Sequence, residues 1–196
     1  KQNTIYQNAF EWRFEFPEVL NDDGDYVGFD AVIGNPPYIQ LQKAYNDTMK
    51  YADLYKTMRY ETFDRTGDIY CLFYEKGIQI AKDNGLLCYI SSNKWMRAGY
   101  GEKLRNFFLK YNPLLLLDLG PGIFESATVD TCIMMLQKND MSEAKQYSLQ
   151  AVTITKEKNQ PLDIPHQVKE KSVTLSKLTK DAWFIGSDAE QKLKEK

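Results

Sequence analysis

The stretch GFDAVIGNPPYI, residues 28 to 39, decides the expected fold of this chain. Residues 29 to 33 are a short apolar run rich in β-branched side chains, and the run stops at Gly34. This pattern is typical of a buried strand that ends in a tight turn. Two prolines within residues 35 to 38 fix two φ angles and remove two backbone donors, so this segment can be neither strand nor helix interior. The sequence predicts a rigid loop at the carboxyl end of a buried strand.

Strands and helices alternate after this loop. Asp68 is the expected N-cap of a helix from Ile69 to about Lys82, and Asn84-Gly85 is expected to provide its left-handed C-cap. Apolar runs and turn residues predict the remaining elements: a long loop with helical turns (41 to 66), a strand (86 to 91), a helix (101 to 110), a strand (114 to 119), and two strands (129 to 138 and 147 to 155) paired as a hairpin. This order predicts a doubly wound α/β fold with a mostly parallel sheet and an antiparallel edge.

The overall composition indicates a folded domain without a strong charge. The chain has 196 residues, of which 43% are hydrophobic, enough to bury a core and too many for a disordered segment. Lys and Arg number 25 against 27 Asp and Glu, a formal charge of -2, so no global basic field attracts a polyanion. If this chain acts on DNA, most contacts to phosphate are expected to lie elsewhere.

The cysteine and histidine positions argue against thiol, zinc or histidine chemistry. Cys71, Cys88 and Cys132 are odd in number and lie in apolar runs, which indicates buried thiols in a reducing compartment. His166, the single histidine, lies in a polar stretch and is expected to be an exposed loop residue. With no apolar run long enough to span a bilayer and no signal-peptide pattern, the sequence predicts a soluble, cytoplasmic protein.

The loop at residues 35 to 38 could activate an exocyclic amine. Such an amine is a poor nucleophile because its lone pair is delocalised into the ring. The side-chain oxygen of Asn35 and the carbonyl oxygen of Pro36 could each accept one N–H as positive charge develops on nitrogen. Tyr38 would offer a surface on which an extruded base stacks. For the tetrapeptide alone a proline-stiffened turn is the simpler interpretation, and its position after FDAVIG favours the functional one.

The quoted stretch, with FEFPEVL (14 to 20) before it, resembles the catalytic motif region of N6-adenine DNA methyltransferases of bacterial restriction-modification systems, especially the large type IIG class. The resemblance continues in order through four further segments: DIYCLFYEKGI (68 to 78), GLLCYISSNKWM (85 to 96), EKLRNFF (102 to 108) and PGIFESATVDTCIMML (121 to 136). It implies part of a Rossmann-like S-adenosylmethionine-dependent methyltransferase fold, with S-adenosyl-L-methionine as cofactor, no metal, and a flipped adenine of double-stranded DNA as substrate.

The resemblance also implies roles for individual residues. It assigns catalytic roles to Asn35, Pro36, Pro37 and Tyr38, base stacking to Tyr38 and Phe124, and cofactor contacts to Asn35 and Phe73. Phe73 lies on the expected apolar face of its helix and could instead be a core residue. Phe124 follows a Gly-Pro-Gly turn outside any periodic apolar stripe, which favours a role in the site.

The chain departs from the family pattern at both ends. The glycine-rich cofactor strand that such enzymes carry does not precede Asn35, and the chain starts at Lys1 without an initiator Met. We therefore expect residues 1 to 155 to be the C-terminal part of a catalytic domain, and residues 156 to 196 to be a linker and the start of a truncated target-recognition region. The chain alone is expected to bind the cofactor weakly and to transfer no methyl group.

Two other functions remain compatible with the sequence. Similar Asn-Pro-Pro-Tyr loops occur in enzymes that methylate protein glutamine or RNA bases, although Phe124 and the flanking FPEVL argue against that acceptor. A non-catalytic scaffold module is the other alternative. The sequence predicts neither the DNA recognition sequence, nor a nuclease domain, nor the oligomeric state.

Overall fold

A six-stranded sheet forms the centre of the computed structural model, which describes residues 12–43, 50–124, 129–141, 146–156 and 162–186. The strands are β1 (Phe29–Gly34), β2 (Ala81–Ser92), β3 (Asn112–Gly120), β4 (Thr131–Gln137), β5 (Leu149–Thr153) and β6 (Val173–Leu175). The helices are α1 (Trp12–Glu15), α2 (Tyr51–Thr57), α3 (Tyr70–Ile80), α4 (Gly101–Phe108) and α5 (Ile164–Lys171). None of these helices has the length and apolar character needed to cross a bilayer.

The strand order is β1-β2-β4-β3-β5-β6. β1 is parallel to β2 and β3 is parallel to β5, whereas β4 is antiparallel to both of its neighbours and β6 is antiparallel to β5. Strands β1, β2, β3 and β5 therefore share one direction. The predicted α/β class with a mostly parallel sheet is confirmed.

The predicted hairpin between the strands at 129 to 138 and 147 to 155 is wrong. β4 lies inside the sheet between β2 and β3, and β5 pairs with β3 and β6. The reason is the burial of β4 on both faces: Cys132, Met134 and Leu136 join the core under α3 and α4, and Ile133 packs on the opposite face. A strand that is apolar on both faces is most stable in the interior of a sheet.

The boundary between α3 and β2 also differs from the prediction. Asp68 does not cap the helix, because its carboxylate accepts a hydrogen bond from the Tyr100 hydroxyl. Asn84 does have a left-handed backbone, with φ of 62°. It lies within β2, however, where its N–H donates to the carbonyl oxygen of Lys138 at 2.8 Å. Pairing with Phe29 of β1 extends the strand back to Ala81, and Ala81 is itself the C-cap residue of α3, its N–H donating to the Gly77 carbonyl oxygen.

The described residues 162–186 pack on the same sheet, whereas the sequence predicts a linker there. Ile164 and Val168 of α5 contact the apolar cluster of Leu117 and Val152, and β6 adds a strand to the sheet. Trp183 is 3% exposed and belongs to the main core. Residues 162–186 thus contribute α5, β6 and Trp183 to the packing of this sheet, and a target-recognition role for the region remains a prediction. His166 is exposed as expected, but it lies in α5 and not in a loop.

The three cysteines are free thiols that differ in burial. Cys71 and Cys132 are buried, as predicted, whereas Cys88 is only half-buried. Burial disfavours the charged thiolate and so raises the pKa of all three groups, to about 12 for Cys132. Because the thiolate is the reactive form, each thiol becomes more reactive as the pH rises towards its raised pKa.

We expect Cys88 to react before Cys71 and Cys132 when the native chain is treated with a maleimide at mildly alkaline pH. The measurement is mass spectrometry of peptides from samples quenched at successive times. The Cys88→Ser variant should lose the early phase, and all three thiols should react at similar rates in concentrated guanidinium chloride. Early labelling of Cys132 in the native chain would contradict the burial described above.

Candidate active site

Four strands of the sheet, β1, β2, β3 and β5, end on one side, and this side carries the candidate site. β1, β2 and β3 share a direction, so their last residues Gly34, Ser92 and Gly120 lie on the same edge of the sheet, here called the ligand edge. In α/β sheets, ligands bind outside the carboxyl ends of the strands. The Asn-Pro-Pro-Tyr loop leaves β1 at this edge, where the sequence places it.

The loop itself is exposed at its amide and anchored behind it. Asn35 and Pro37 are exposed, Pro36 is buried and Tyr38 is half-buried. Immediately after Tyr38 the backbone is fixed to the start of α3: the Ile69 N–H donates to the Ile39 carbonyl oxygen at 2.9 Å. The loop thus exposes the Asn35 amide to solvent, where it could accept a hydrogen bond from a ligand, and is fixed to the fold at Ile39.

Tyr38 lies with one edge against the core. Its hydroxyl donates to the Ile90 carbonyl oxygen at 3.5 Å, and its ring meets the Tyr70 ring edge-on, with centroids 6.3 Å apart. Burial raises the pKa of Tyr38, so the phenol remains neutral near neutral pH. A neutral, half-buried ring beside an exposed amide has the properties that stacking of a base requires.

Close packing under the loop explains the glycine that ends β1. A Cβ added to Gly34 would lie 3.2 Å from Cε1 of Tyr89 on the neighbouring strand, closer than ordinary van der Waals contact. A larger residue would require the Tyr89 ring or the loop to shift by a few tenths of an ångström.

The two other predicted aromatic residues have different surroundings. Phe73 is 39% exposed and shares the solvent-facing stripe of α3 with Lys76 and Gln79, so its expected position on the apolar face is wrong. It lies in the first turns of α3, next to the ligand edge. Phe124 is half-buried after the turn that follows β3, and the adjoining residues 125 to 128 lie outside the described part of the chain. The site roles of both residues stay predictions.

S-adenosylmethionine is the cofactor that the resemblance implies, and Asn35 and Phe73 are its expected contacts. Both side chains are exposed, and both belong to elements that reach the ligand edge. An exposed aromatic ring can stack on a purine, and an exposed amide can hydrogen-bond a polar group. The residues present therefore fit one side of such a cofactor.

A buried carboxylate at the ligand edge was not identified from the sequence. Asp118 is 7% exposed, and its Oδ1 accepts hydrogen bonds from Asn93 Nδ2 at 2.8 Å and from the Gly120 N–H at 3.3 Å. Arg97 lies 4.0 Å from its other oxygen. The available signal was the charge within the apolar run LLLLDL (114 to 119), since a lone carboxylate in a buried strand needs partners. Asp118 therefore orients the Asn93 amide at the end of β2, the strand next to β1 and its Asn-Pro-Pro-Tyr loop.

Comparison with known families fits this geometry. Residues 1–124 match the family described as Eco57I restriction-modification methylase. The chain belongs to this family. This member of the Eco57I family is 30% identical over 161 residues to the type II restriction enzyme and methyltransferase RM.Eco57I of Escherichia coli, an alignment covering 80% of this chain. It is also 31% identical over 100 residues, half of this chain, to the type II methyltransferase M.BstVI of Geobacillus stearothermophilus.

The Eco57I-family chain matches only a small part of these relatives. It spans 15% of the length of the Escherichia coli protein and 17% of the Geobacillus protein. Among solved structures, the methyltransferase subunit of a type I restriction-modification system from Streptococcus thermophilus has a TM-score of 0.50 and 18% identity, with 74% of this chain and 31% of that chain covered. A putative class I S-adenosylmethionine-dependent methyltransferase from Listeria monocytogenes has a TM-score of 0.50 and 20% identity, with 73% and 42% covered. These two structures share the fold, which confirms the predicted methyltransferase fold class.

Proposed function

We propose that this chain belongs to the catalytic domain of a site-specific DNA methyltransferase of a restriction-modification system, and that the acceptor is N6 of adenine. The observation that carries the proposal is the exposed Asn35 amide in a proline-stiffened loop at the ligand edge, next to the half-buried ring of Tyr38. Membership in the Eco57I family supports methyl transfer to DNA. Adenine as the acceptor base rests on the chemistry of the loop.

The loop would act by placing two acceptors beside one amino group. The Asn35 side-chain oxygen and the Pro36 carbonyl oxygen would each accept an N–H of the adenine NH2, which returns lone-pair density to the nitrogen. As the nitrogen gains a bond to carbon it becomes positive, and the two oxygens stabilise that charge more strongly than they stabilise the neutral amine. The prolines keep the acceptors in place without offering competing N–H donors.

The aromatic residues would hold the base. An adenine inside a duplex cannot reach the loop, so it must leave the helix, which costs a few kcal/mol. Stacking on Tyr38, with Phe124 on the other face, offsets that cost by about 1 to 3 kcal/mol per contact. S-adenosylmethionine supplies the methyl group when it is bound, and Asn35 and Phe73 are the residues of this chain that would hold it. Rate then depends on orientation of the amine and on charge stabilisation.

The test is methyl transfer by the longest polypeptide that carries this sequence. The protein is incubated with methyl-labelled S-adenosylmethionine and with duplex DNA, single-stranded RNA or a glutamine peptide, and the products are digested and identified by mass spectrometry. We expect N6-methyladenine in duplex DNA. Methylcytosine would refute adenine as the acceptor, labelled RNA or glutamine would refute DNA, and the absence of label in every substrate would favour a scaffold.

A further inference from the structure

A buried polar chain lies directly behind Tyr38. Tyr70, whose ring meets Tyr38 edge-on, has no exposed surface, and its hydroxyl lies 2.8 Å from the hydroxyl of Tyr100. The Tyr100 hydroxyl in turn donates to Oδ2 of Asp68 at 3.2 Å. Asp68 is 7% exposed, so the chain of groups ends on a carboxylate largely withdrawn from water.

The Asp68 carboxylate determines which hydroxyl donates and which accepts in this series of hydrogen bonds. An ionised carboxylate can only accept, so Tyr100 donates to Asp68 and the Tyr100 oxygen is left to accept from Tyr70. A buried hydroxyl that is left without a partner destabilises the fold, so each hydroxyl strongly prefers this one orientation. Burial raises the pKa of Asp68 above its usual value, and the Tyr100 hydrogen bond and the charges of Lys94 and Lys43 offset only part of that rise. The hydroxyl of Tyr70 is thereby held in position at the buried end of the ring.

The same segment holds the backbone that follows Tyr38. Asp68 pairs with Gln40 as an antiparallel bridge, and the flanking bonds run from the Leu41 N–H to the Gly67 carbonyl oxygen and from the Ile69 N–H to the Ile39 carbonyl oxygen, both at 2.9 Å. Asp68 is thus connected to Tyr38 in two ways. One is the main-chain pairing with Gln40, and the other runs through the hydroxyls of Tyr100 and Tyr70 to the ring contact with Tyr38.

We infer that Asp68, Tyr100 and Tyr70 are positioning residues for Tyr38, and that their hydrogen-bonded chain sets the angle of the ring on which the extruded base stacks. The inference rests on the proposed function for its effect on turnover. The orientation of the Tyr38 ring, however, is a property of the polypeptide that can be measured without any substrate. Catalytic geometry depends on side chains whose own rotamers are held by a second layer of contacts. Loss of one link should leave the Tyr38 ring in place, held by its own bond to the Ile90 carbonyl oxygen, but with a less sharply defined angle.

The first test observes the ring without any substrate. The chain is labelled with 3-fluorotyrosine, and the ¹⁹F resonance of Tyr38 is assigned by its absence in Tyr38→Phe. We expect Tyr100→Phe to shift or broaden this resonance, and Tyr147→Phe to leave it unchanged. Tyr147 is a matched control, because its half-buried hydroxyl also makes a hydrogen bond, to the Leu109 carbonyl oxygen at 2.8 Å, at the opposite end of the sheet. An unchanged Tyr38 resonance in Tyr100→Phe overturns the inference, whatever the protein methylates.

The second test measures turnover and base extrusion in the longest polypeptide. Loss of one hydrogen bond should lower kcat of Tyr100→Phe by about 3- to 10-fold with KM unchanged, and lower the fluorescence of 2-aminopurine at the target position. Asp68→Asn keeps an oxygen acceptor and should restore near-normal kcat, whereas Asp68→Ala should behave like Tyr100→Phe. A melting temperature lowered in Tyr100→Phe as in Tyr147→Phe, with kcat equal in both, would show a merely structural role and overturn the inference.

Discussion

Replacing Asn35 by Ala is expected to abolish detectable methylation, with kcat lower by about 10²- to 10³-fold, while DNA binding stays nearly intact. The expected size is that of removing one preorganised polar partner from a charge-stabilising site. The side chain is exposed at the ligand edge, so its loss leaves no cavity in the core and the fold should be unaffected. The effect should therefore fall on turnover and not on stability or DNA affinity.

The measurement is single-turnover methyl transfer by the longest polypeptide, with DNA affinity and the melting temperature recorded in parallel. Asn139→Ala provides the control, since Asn139 is also an exposed asparagine just after a strand, but it follows β4 at the opposite edge of the sheet. That variant should match the wild type in all three measurements. Normal turnover by the Asn35→Ala variant would remove the role assigned to this amide.

The positions of the strand and loop at the candidate site could be predicted because their signals are local. The expected burial of the strand is wrong, since β1 is an edge strand in which Ile33 is 79% exposed. Proline and glycine restrict the backbone at their own positions, so FDAVIG followed by two prolines can adopt few conformations in any fold. The alternation of strands and helices after it is likewise visible in apolar periods. These signals place Asn35 at a strand's carboxyl end before any tertiary contact is considered.

Strand order could not be predicted in the same way, because it depends on contacts between distant residues. β4 pairs Cys132 with Ser91 and with Asp118. The continuous apolar run CIMML (132 to 136) is compatible with an interior strand, but it does not indicate which strands become its neighbours. β6 has three residues, too few to show a period of two. The positions of β4 and β6 are set by contacts with strands that are distant in sequence, β2 and β3 for β4 and β5 for β6.

The orientation of α3 shows why the buried face of a helix can be misjudged. The apolar positions counted from the sequence include Phe73, but the helix turns Gly77 towards the sheet instead. A Cβ on Gly77 would lie 2.6 Å from Leu87 Cδ1 and 2.8 Å from the Tyr89 hydroxyl, so the close approach of helix and strand requires glycine there. With Gly77 and Tyr74 facing inward, Phe73 is directed to solvent. The face of α3 that is buried is therefore determined by how closely the helix can approach the sheet as well as by hydrophobicity.

Replacing Trp183 by Ala is expected to lower the free energy of unfolding by about 3 to 5 kcal/mol, the usual cost of removing a large buried aromatic side chain. The Trp183 ring meets the ring of Trp95 edge-on at 5.4 Å and that of Phe108 at 6.1 Å. Its indole N–H donates to the Thr179 carbonyl oxygen at 2.7 Å. The substitution would leave a cavity between the core and the segment that follows β6.

The measurement is equilibrium unfolding of the chain in urea, followed by tryptophan fluorescence and by circular dichroism. Phe14→Ala is the control, because Phe14 is also aromatic but is 86% exposed, and its loss should change the free energy of unfolding by less than about 0.5 kcal/mol. If Trp183→Ala proved as mild as this control, residues 176 to 186 would not be part of the cooperative unit. A large effect would mean that residues 176 to 186 unfold together with the sheet. The backbone also links the two, since the Trp183 N–H donates to the carbonyl oxygen of Met96, directly before Arg97.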